Sequence, residues 1–133
     1  MDLNNQVKFL GLVSEEVLYS LYKNTTGVVI PTLYEAGSFP LIESIYLGRP
    51  VICSNVTSLP ETIGDPRFMF DPTKINDIQE KVRMLWSDES FALAAAANAS
   101  NQKRKFDSLN SLNKIKNVYS MLSNNANTLD NND

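Results

Sequence analysis

The sequence contains no histidine and only one cysteine, Cys53. The absence of histidine excludes Ser-His-Asp and Cys-His catalysis, and also zinc sites built on imidazole. A lone cysteine forms no internal disulfide, and Cys53 lies in an apolar run that predicts a small, buried, unreactive side chain. Any chemistry in this chain must therefore depend on carboxylates, backbone dipoles and the groups that a substrate brings.

Long apolar runs and charge of one sign are also missing. No apolar run approaches the roughly 20 residues that span a membrane, and residues 1–6 lack signal-peptide character. The chain has 12 basic and 15 acidic residues, a net charge of −3, which does not indicate nucleic-acid binding. The basic cluster Lys103-Arg104-Lys105 is interpreted as a solvated helix face, with contact to lipid headgroups or a partner as the alternative. We expect a cytoplasmic protein, with peripheral contact at the inner face of the membrane as a second option.

What is present is a strand–loop–helix–strand pattern in a chain of one-domain length. The β-branched run 28–30 precedes a helical pattern over 41–47 that stops at Gly48, and a second apolar run follows at 50–53. This order is typical of the βαβ unit of a parallel sheet. A further strand is predicted at 7–10, followed by a helix with Ser14 as its N-cap. Since ligands bind beyond the carboxyl ends of parallel strands, we expect the site in the loop after residue 30.

That loop holds two glutamates seven residues apart, Glu35 and Glu43. Between them Gly37 is flexible, Ser38 carries a hydroxyl, and Pro40 is suited to the first turn of a helix. The unpaired N–H groups of that turn and the helix dipole suit a phosphate. Two plainer interpretations stay open: Glu35 as a solvated loop acid, and Glu43 as a first-turn acid that complements the helix dipole.

With the segments that follow, this pattern resembles the E-x7-E motif of retaining GT-B glycosyltransferases, specifically glycosyltransferase family 4. The later segments are Ser54-Asn55, Ser58-Leu59-Pro60-Glu61, Gly64-Asp65 and Phe70-Asp71-Pro72. The resemblance covers residues 7–106 and lies within the family's C-terminal, donor-binding domain. It implies an α/β fold, a three-layer Rossmann-like parallel sheet that forms a partial GT-B C-terminal domain with C-terminal helices.

The resemblance also implies roles for individual residues. Glu43 would bond the ribose hydroxyls of a nucleotide, and Glu35 would act at the transferred sugar as the catalytic carboxylate. The loop and helix start would face the sugar and its diphosphate, and the base would rest near the backbone of Val13. No metal and no cofactor are expected, since the nucleotide-diphosphate sugar is a substrate. The residues expected at the sugar and diphosphate are Gly37, Ser38, Phe39 and Pro40.

The activity implied is retaining transfer of a hexose to a carbohydrate or lipid-linked acceptor, by front-face substitution assisted by the leaving phosphate. The family's usual Glu-Gly-Phe-Gly-Leu-Pro is replaced here by Glu-Ala-Gly-Ser-Phe-Pro, with Ala36 and Ser38 where glycine is usual. Two βα units with a phosphate-binding Arg and Lys, and the acceptor domain, have no counterpart in this chain. We therefore expect it to be inactive alone and to need a missing N-terminal half or a second copy. The alternative is a non-catalytic, degenerate donor domain that serves in binding or assembly.

The remainder of the chain is predicted to be mostly helical. Ser58 and Glu61 have the spacing of a capping box at a short helix, and residues 67–70 read as a last strand. Amphipathic patterns then predict helices over 75–86, 88–106 and 109–122. The Asn-rich residues 124–133 are predicted to be a disordered tail, which makes residues 1–123 the partial donor domain.

Overall fold

The computed structural model describes residues 6–106 and 108–129. It has an α/β fold around a parallel sheet of three strands in the order β1-β2-β3, which confirms the predicted fold class. In chain order the elements are α1 (Glu15–Asn24), β1 (Val28–Ile30), α2 (Phe39–Tyr46), β2 (Val51–Ser54), α3 (Leu59–Ile63), β3 (Met69–Phe70), α4 (Ile75–Ser87), α5 (Glu89–Lys103) and α6 (Ser108–Leu129), with 3-10 turns at Pro66–Phe68 and Arg104–Phe106.

The prediction of a strand at residues 7–10 is wrong, because these residues form no strand. β1 is an edge strand, paired only with β2 among the described strands. An apolar run becomes a strand only where a neighbour satisfies its backbone groups, and this segment has no such neighbour in the described chain. Its side chains stay in solvent, with Phe9 97% exposed. The edge of β1 and the segment that precedes α1 are therefore both unpaired.

The core lies between β2 and the helices that pack on it. All four residues of β2 are buried, as expected for a strand covered on both faces. α2 contributes Leu41 and Ile45, and α5 contributes Ala95 and Ala99, each with 0% exposure. The small alanine side chains let α5 approach the sheet and α2 closely. The site loop is thus attached to the best-packed part of the molecule, whose buried apolar residues are Ile30, Leu41, Ile45, Val51, Ile52, Cys53, Leu59, Ile63, Phe68, Phe70, Leu85, Ala95 and Ala99.

Helix α1 begins as predicted but packs differently. Ser14 is its N-cap and accepts from the N–H of Val17 at 3.4 Å. Val17, Leu18, Leu21 and Tyr22 form an apolar stripe at helical spacing, a pattern that predicts packing on the sheet. Leu18 and Leu21 are nevertheless 38% and 43% exposed. Tyr22 is the one buried residue of this helix. The contact of Tyr22 with α2 becomes important at the site.

The C-terminal helices α4, α5 and α6 are confirmed, with α6 continuing to Leu129. The prediction of a disordered tail is therefore wrong for residues 124–129, which are helical. They extend α6, and each residue added to a helix that is already formed gains one further backbone hydrogen bond. Residues 130–133 lie outside the described residues. Lys103 donates to the Tyr46 carbonyl at 3.0 Å, so part of the basic cluster fastens α5 to α2. Within the described residues, no helix is long and apolar enough to cross a membrane.

Candidate functional site

The carboxyl ends of β1 and β2 meet at one edge of the sheet and join the two loops that follow them. The Ser54 hydroxyl donates to the Ile30 carbonyl at 3.2 Å, which ties the last residues of the two strands together. Further out, the Thr57 hydroxyl donates to the Glu35 carbonyl at 2.5 Å. The predicted loop therefore lies at the predicted edge, and its first glutamate is held by the neighbouring loop.

The Glu35 loop adopts its conformation without needing glycine at the positions where the family has it. Glycines with φ in the left-handed region occur at positions 11, 48 and 64, and Gly37 is not among them. Ser38 has φ −95°, which any residue adopts. The displacement of glycine from positions 36 and 38 consequently introduces no backbone strain among the described residues of this loop.

Strain is found instead at Thr57, the one non-glycine residue in the described chain with positive φ, at 51°. A β-branched side chain is disfavoured in this region, and such conformations cost of order 1–3 kcal/mol. The bond from Thr57 to the Glu35 carbonyl helps to hold the strained turn. Ser58 lies next to it, with its hydroxyl 3.5 Å from the same carbonyl.

We expect Thr57→Val to lower the free energy of unfolding by about 1 kcal/mol, because the shape is kept and one hydrogen bond is lost. Thr57→Ser keeps the hydroxyl and should be at least as stable as the wild type, since serine is less hindered at positive φ. Urea unfolding followed by circular dichroism measures both. Equal stability of Thr57→Val and Thr57→Ser would contradict a bracing role for the hydroxyl.

The capping-box prediction at Ser58 is wrong. Ser58 has φ −87° and ψ −8°, a helical rather than extended conformation, and its side chain makes no cap bond. An N-cap hydroxyl reaches the helix N–H groups from an extended backbone, and this backbone points it at Glu35 instead. Glu61 is exposed on α3. It therefore serves as a control position, because it is an exposed acid that forms no ion pair with a described residue.

The N-terminus of α2 offers backbone donors next to Glu35. Ser38 is buried and caps the helix by accepting from the N–H of Leu41 at 3.3 Å. Pro40 occupies the first turn and has no N–H. In the part of the chain that the structure describes, no acceptor bonds the backbone N–H of Gly37, Ser38 or Phe39. Successive unbonded donors at a helix start are suited to an anion such as a phosphate.

The sequence suggested that Glu43 lies in the first turn of α2, but the structure places it further along the helix. α2 begins at Phe39, two residues earlier than predicted, so its first turn contains no acidic residue and Glu43 is its fifth residue. The helix-dipole explanation for this carboxylate therefore fails, because that effect falls off within the first turn. Glu43 lies beside an open groove of about 350 Å³ between α1 and α2, lined by Glu15, Leu18, Tyr19, Tyr22, Glu43 and Leu47.

One oxygen of Glu43 is already engaged within the protein. The Tyr22 hydroxyl donates to its Oε2 at 2.8 Å and lies 3.4 Å from the Pro40 carbonyl. Burial, together with the hydrogen bond to Glu43, raises the pKa of Tyr22 to about 12. No described residue bonds the other oxygen, Oε1. The carboxylate is thus partly ordered and still able to accept from a ligand.

Val13 immediately precedes the N-cap of α1 and is partly buried. It is not among the residues that line the groove beside Glu43. No hydrogen bond between described residues connects it to Glu35 or Glu43, so the structure leaves its predicted contact with a base as a prediction. The structure does bring Glu35, Gly37, Ser38, Phe39 and Pro40 together around the start of α2.

Other acidic residues have structural partners. The hydrogen bonds from Thr73 lower the pKa of Asp71 to about 2, and Lys74 pairs with the same carboxylate at 3.0 Å. Asp65 pairs with Arg67 at 2.7 Å. The described residues contain no group of three or more side chains that could hold a metal ion. Among them, no lysine or arginine bonds the start of α2, and both ion pairs above lie elsewhere.

Sequence reasoning missed two residues that hold the glutamates in place, Tyr22 and Thr57. Tyr22 was read only as one of four apolar stripe residues, and its polar end gave no separate signal. The contact spans 21 residues along the chain. For Thr57 no sequence signal exists, because β-branched residues ordinarily avoid positive φ. Both contacts depend on how separate elements meet.

Comparison with known proteins gives consistent results. A family model described as "Glycosyl transferases group 1" matches residues 1–106. O-antigen chain mannosyltransferase B from Escherichia coli is 34% identical over 116 residues, which is 87% of this chain and 30% of that protein. Serotype-specific mannosyltransferase WbdA from Escherichia coli is 34% identical over 102 residues, 77% of this chain and 12% of that protein. The chain therefore spans a third or less of the length of these relatives.

A solved structure shares the fold. Sucrose-phosphate synthase from Thermosynechococcus elongatus superposes with a TM-score of 0.74 over 90% of this chain and 31% of that protein. The sequence identity is 23%. This likeness supports the parallel α/β architecture described above.

Proposed function

Because the chain belongs to the glycosyl transferases group 1 family, we propose that it is the nucleotide-sugar-binding part of a retaining glycosyltransferase of family 4. The whole enzyme would transfer a hexose from a nucleotide-diphosphate sugar to a carbohydrate or lipid-linked acceptor. One observation carries this proposal: Glu35 and Glu43 lie on either side of the Gly37, Ser38 and Phe39 N–H groups, which have no acceptor within the described chain. The names of the relatives suggest mannose as the hexose.

The arrangement fits the chemical needs of such a donor. The N–H groups of Gly37, Ser38 and Phe39 would bond the diphosphate and sugar, where Pro40 fixes the first turn. Glu43 would accept from ribose hydroxyls, and Val13 would place its backbone near the base. No cofactor is needed, and none of these steps requires a metal. The family resemblance assigns the basic groups that would balance the diphosphate charge to βα units without a counterpart in this chain.

Glu35 is proposed to act at the transferred sugar. In a front-face substitution the bond from the anomeric carbon to the phosphate oxygen breaks, and a bond to the acceptor oxygen forms on the same face. The acceptor proton passes to the leaving phosphate oxygen, so no protein base is consumed. A fixed carboxylate near the anomeric carbon would stabilise the positive charge that develops there. The bond from Thr57 to the Glu35 backbone carbonyl supports a fixed position of the loop that carries this carboxylate.

The experiment is an amide NMR titration of the labelled chain with UDP, GDP and ADP. We expect one nucleotide to shift signals near Glu43 and Val13. Glu43→Ala should weaken that binding by about 10- to 100-fold, because a charged hydrogen-bond acceptor is lost. Glu61→Ala removes an exposed acid outside the site and should bind like the wild type. A dispersed spectrum that no nucleotide moves would contradict the proposal.

A second candidate function is a non-catalytic, degenerate donor domain that acts in binding or assembly. The observation in its favour is the exposed apolar surface of α1, including Leu18 and Leu21, beside the unpaired edge of β1. Such a surface would associate with a missing N-terminal half or with a second copy. Sugar transfer by the chain together with that half would exclude this alternative.

We further propose a cytoplasmic location, with peripheral contact at the inner membrane face through the basic residues 103–105.

A further inference from the structure

The inference concerns Tyr22 and rests on the proposed function. Tyr22 is the single buried residue of α1, with 9% exposure, whereas its apolar neighbours Leu18 and Leu21 are 38% and 43% exposed. The shortest polar contact between α1 and α2 is the bond from the Tyr22 hydroxyl to Glu43 Oε2, at 2.8 Å.

The geometry of this bond determines what Glu43 can do. A glutamate side chain rotates about three bonds, and a partly exposed one samples many positions unless a neighbour holds it. The phenol has a single proton and donates it to one acceptor at a time, so Glu43 at 2.8 Å takes precedence over the Pro40 carbonyl at 3.4 Å. Fixing Oε2 leaves Oε1 to accept from a ligand in the groove between α1 and α2.

We propose that Tyr22 is a positioning residue, which holds the Glu43 carboxylate in the orientation that accepts from the ribose hydroxyls of the donor nucleotide. Tyr22 itself touches neither sugar nor phosphate in this scheme. It acts through Glu43 alone. It is suited to this role because burial raises the pKa of Tyr22 to about 12, so the hydroxyl stays protonated across the working pH range.

If Tyr22 only supported packing, its replacement would weaken the binding of all nucleotides alike. Discrimination between a ribonucleotide and its deoxy form therefore tests the positioning role. The 133-residue chain is titrated with UDP, GDP and ADP, and then with the 2′-deoxy form of whichever nucleotide binds. In the wild type we expect the ribose form to bind about tenfold more tightly, because removal of one hydroxyl loses a hydrogen bond to a charged acceptor. Tyr22→Phe should cut that ratio to within about threefold, near the ratio of Glu43→Gln.

Two controls separate positioning from folding. Tyr119→Phe alters a tyrosine of α6 that is 71% exposed and does not line the groove, and it should leave the ratio unchanged. The double variant Tyr22→Phe with Glu43→Gln should discriminate no less than Glu43→Gln alone, because Tyr22 acts only through Glu43. In the wild-type chain, ring signals of Tyr22 should shift with the ribonucleotide and shift less with its deoxy form, a readout independent of any variant.

The outcomes are distinguishable. If the wild type binds and discriminates while Tyr22→Phe keeps the full ratio, the positioning role is overturned and the proposed function stands. An equal loss of affinity for both ligands would also overturn it, because that result indicates packing only. If the wild type binds none of the nucleotides, the proposed function fails and the role of Tyr22 fails with it.

Discussion

Replacing Glu35 by glutamine in an active enzyme that contains this segment should lower kcat for sugar transfer by about 100- to 1000-fold. Glutamine keeps the shape and hydrogen-bonding capacity of the side chain but removes its negative charge. The loop should persist, because Thr57 bonds the Glu35 backbone carbonyl rather than its side chain. The nucleotide affinity should therefore change by less than about threefold, since the lost interaction is stronger in the transition state than in the ground state.

Glu61→Gln is the matched control, because Glu61 is an exposed acid on the neighbouring short helix α3. It should leave both kcat and nucleotide affinity unchanged. Steady-state transfer rates and equilibrium nucleotide binding measure the two quantities separately. If Glu35→Gln keeps kcat within a few-fold of the wild type, Glu35 is a solvated loop acid. If it loses affinity and kcat equally, Glu35 binds the ground state and does not act selectively on the reaction.

Phe70→Ala should remove a large share of the stability of the fold. Phe70 is 1% exposed in the two-residue strand β3, and its carbonyl accepts from the N–H of Asn55 at 2.9 Å. Truncation of a buried phenylalanine costs about 3–5 kcal/mol, and a domain of this size has a total stability of roughly 5–15 kcal/mol. Because Asn55 begins the loop that reaches Glu35, the loss should also loosen the site edge.

Phe9→Ala is the control for this change, since Phe9 is 97% exposed in the segment before α1. Its free energy of unfolding should stay within about 0.5 kcal/mol of the wild type. Urea unfolding followed by far-ultraviolet circular dichroism suits both variants, because Trp86 is 79% exposed and its fluorescence reports little on burial. A similar loss in both variants would mean that the segment at Phe9 is packed in solution.

The elements around the site could be predicted from the sequence because each has a strong local signal. β-Branched residues mark β1, and an unbroken apolar run marks β2. Pro40 in the first turn and Gly48 after the last turn mark the two ends of α2. These signals are local, so they do not depend on the rest of the fold. The position of the loop that holds the two motif glutamates followed from the same reasoning, since loops after parallel strands meet at one edge, whereas the roles of the glutamates came from the family resemblance.

Residues 7–10 show where local reasoning stops. Their apolar pattern resembles that of β1, but a strand requires a partner for its backbone, and that partner is a non-local property. The capping-box prediction at Ser58 failed for a related reason. A serine three residues before a glutamate is a valid cap only if the backbone before the helix is extended, and here it is helical. In both cases tertiary structure decided between conformations that the local sequence permits equally.

The lone thiol of Cys53 can report on opening of the folded chain through the rate at which a reagent labels it. It lies at 0% exposure in the fully buried strand β2, and burial raises its pKa to about 12, so almost no reactive thiolate exists in the folded state. A thiol reagent can therefore reach it only when the chain opens, and the labelling rate reports the free energy of opening. Any nucleotide that binds the folded state should slow that rate by the factor 1 + [L]/Kd, which measures affinity without a spectroscopic probe at the site.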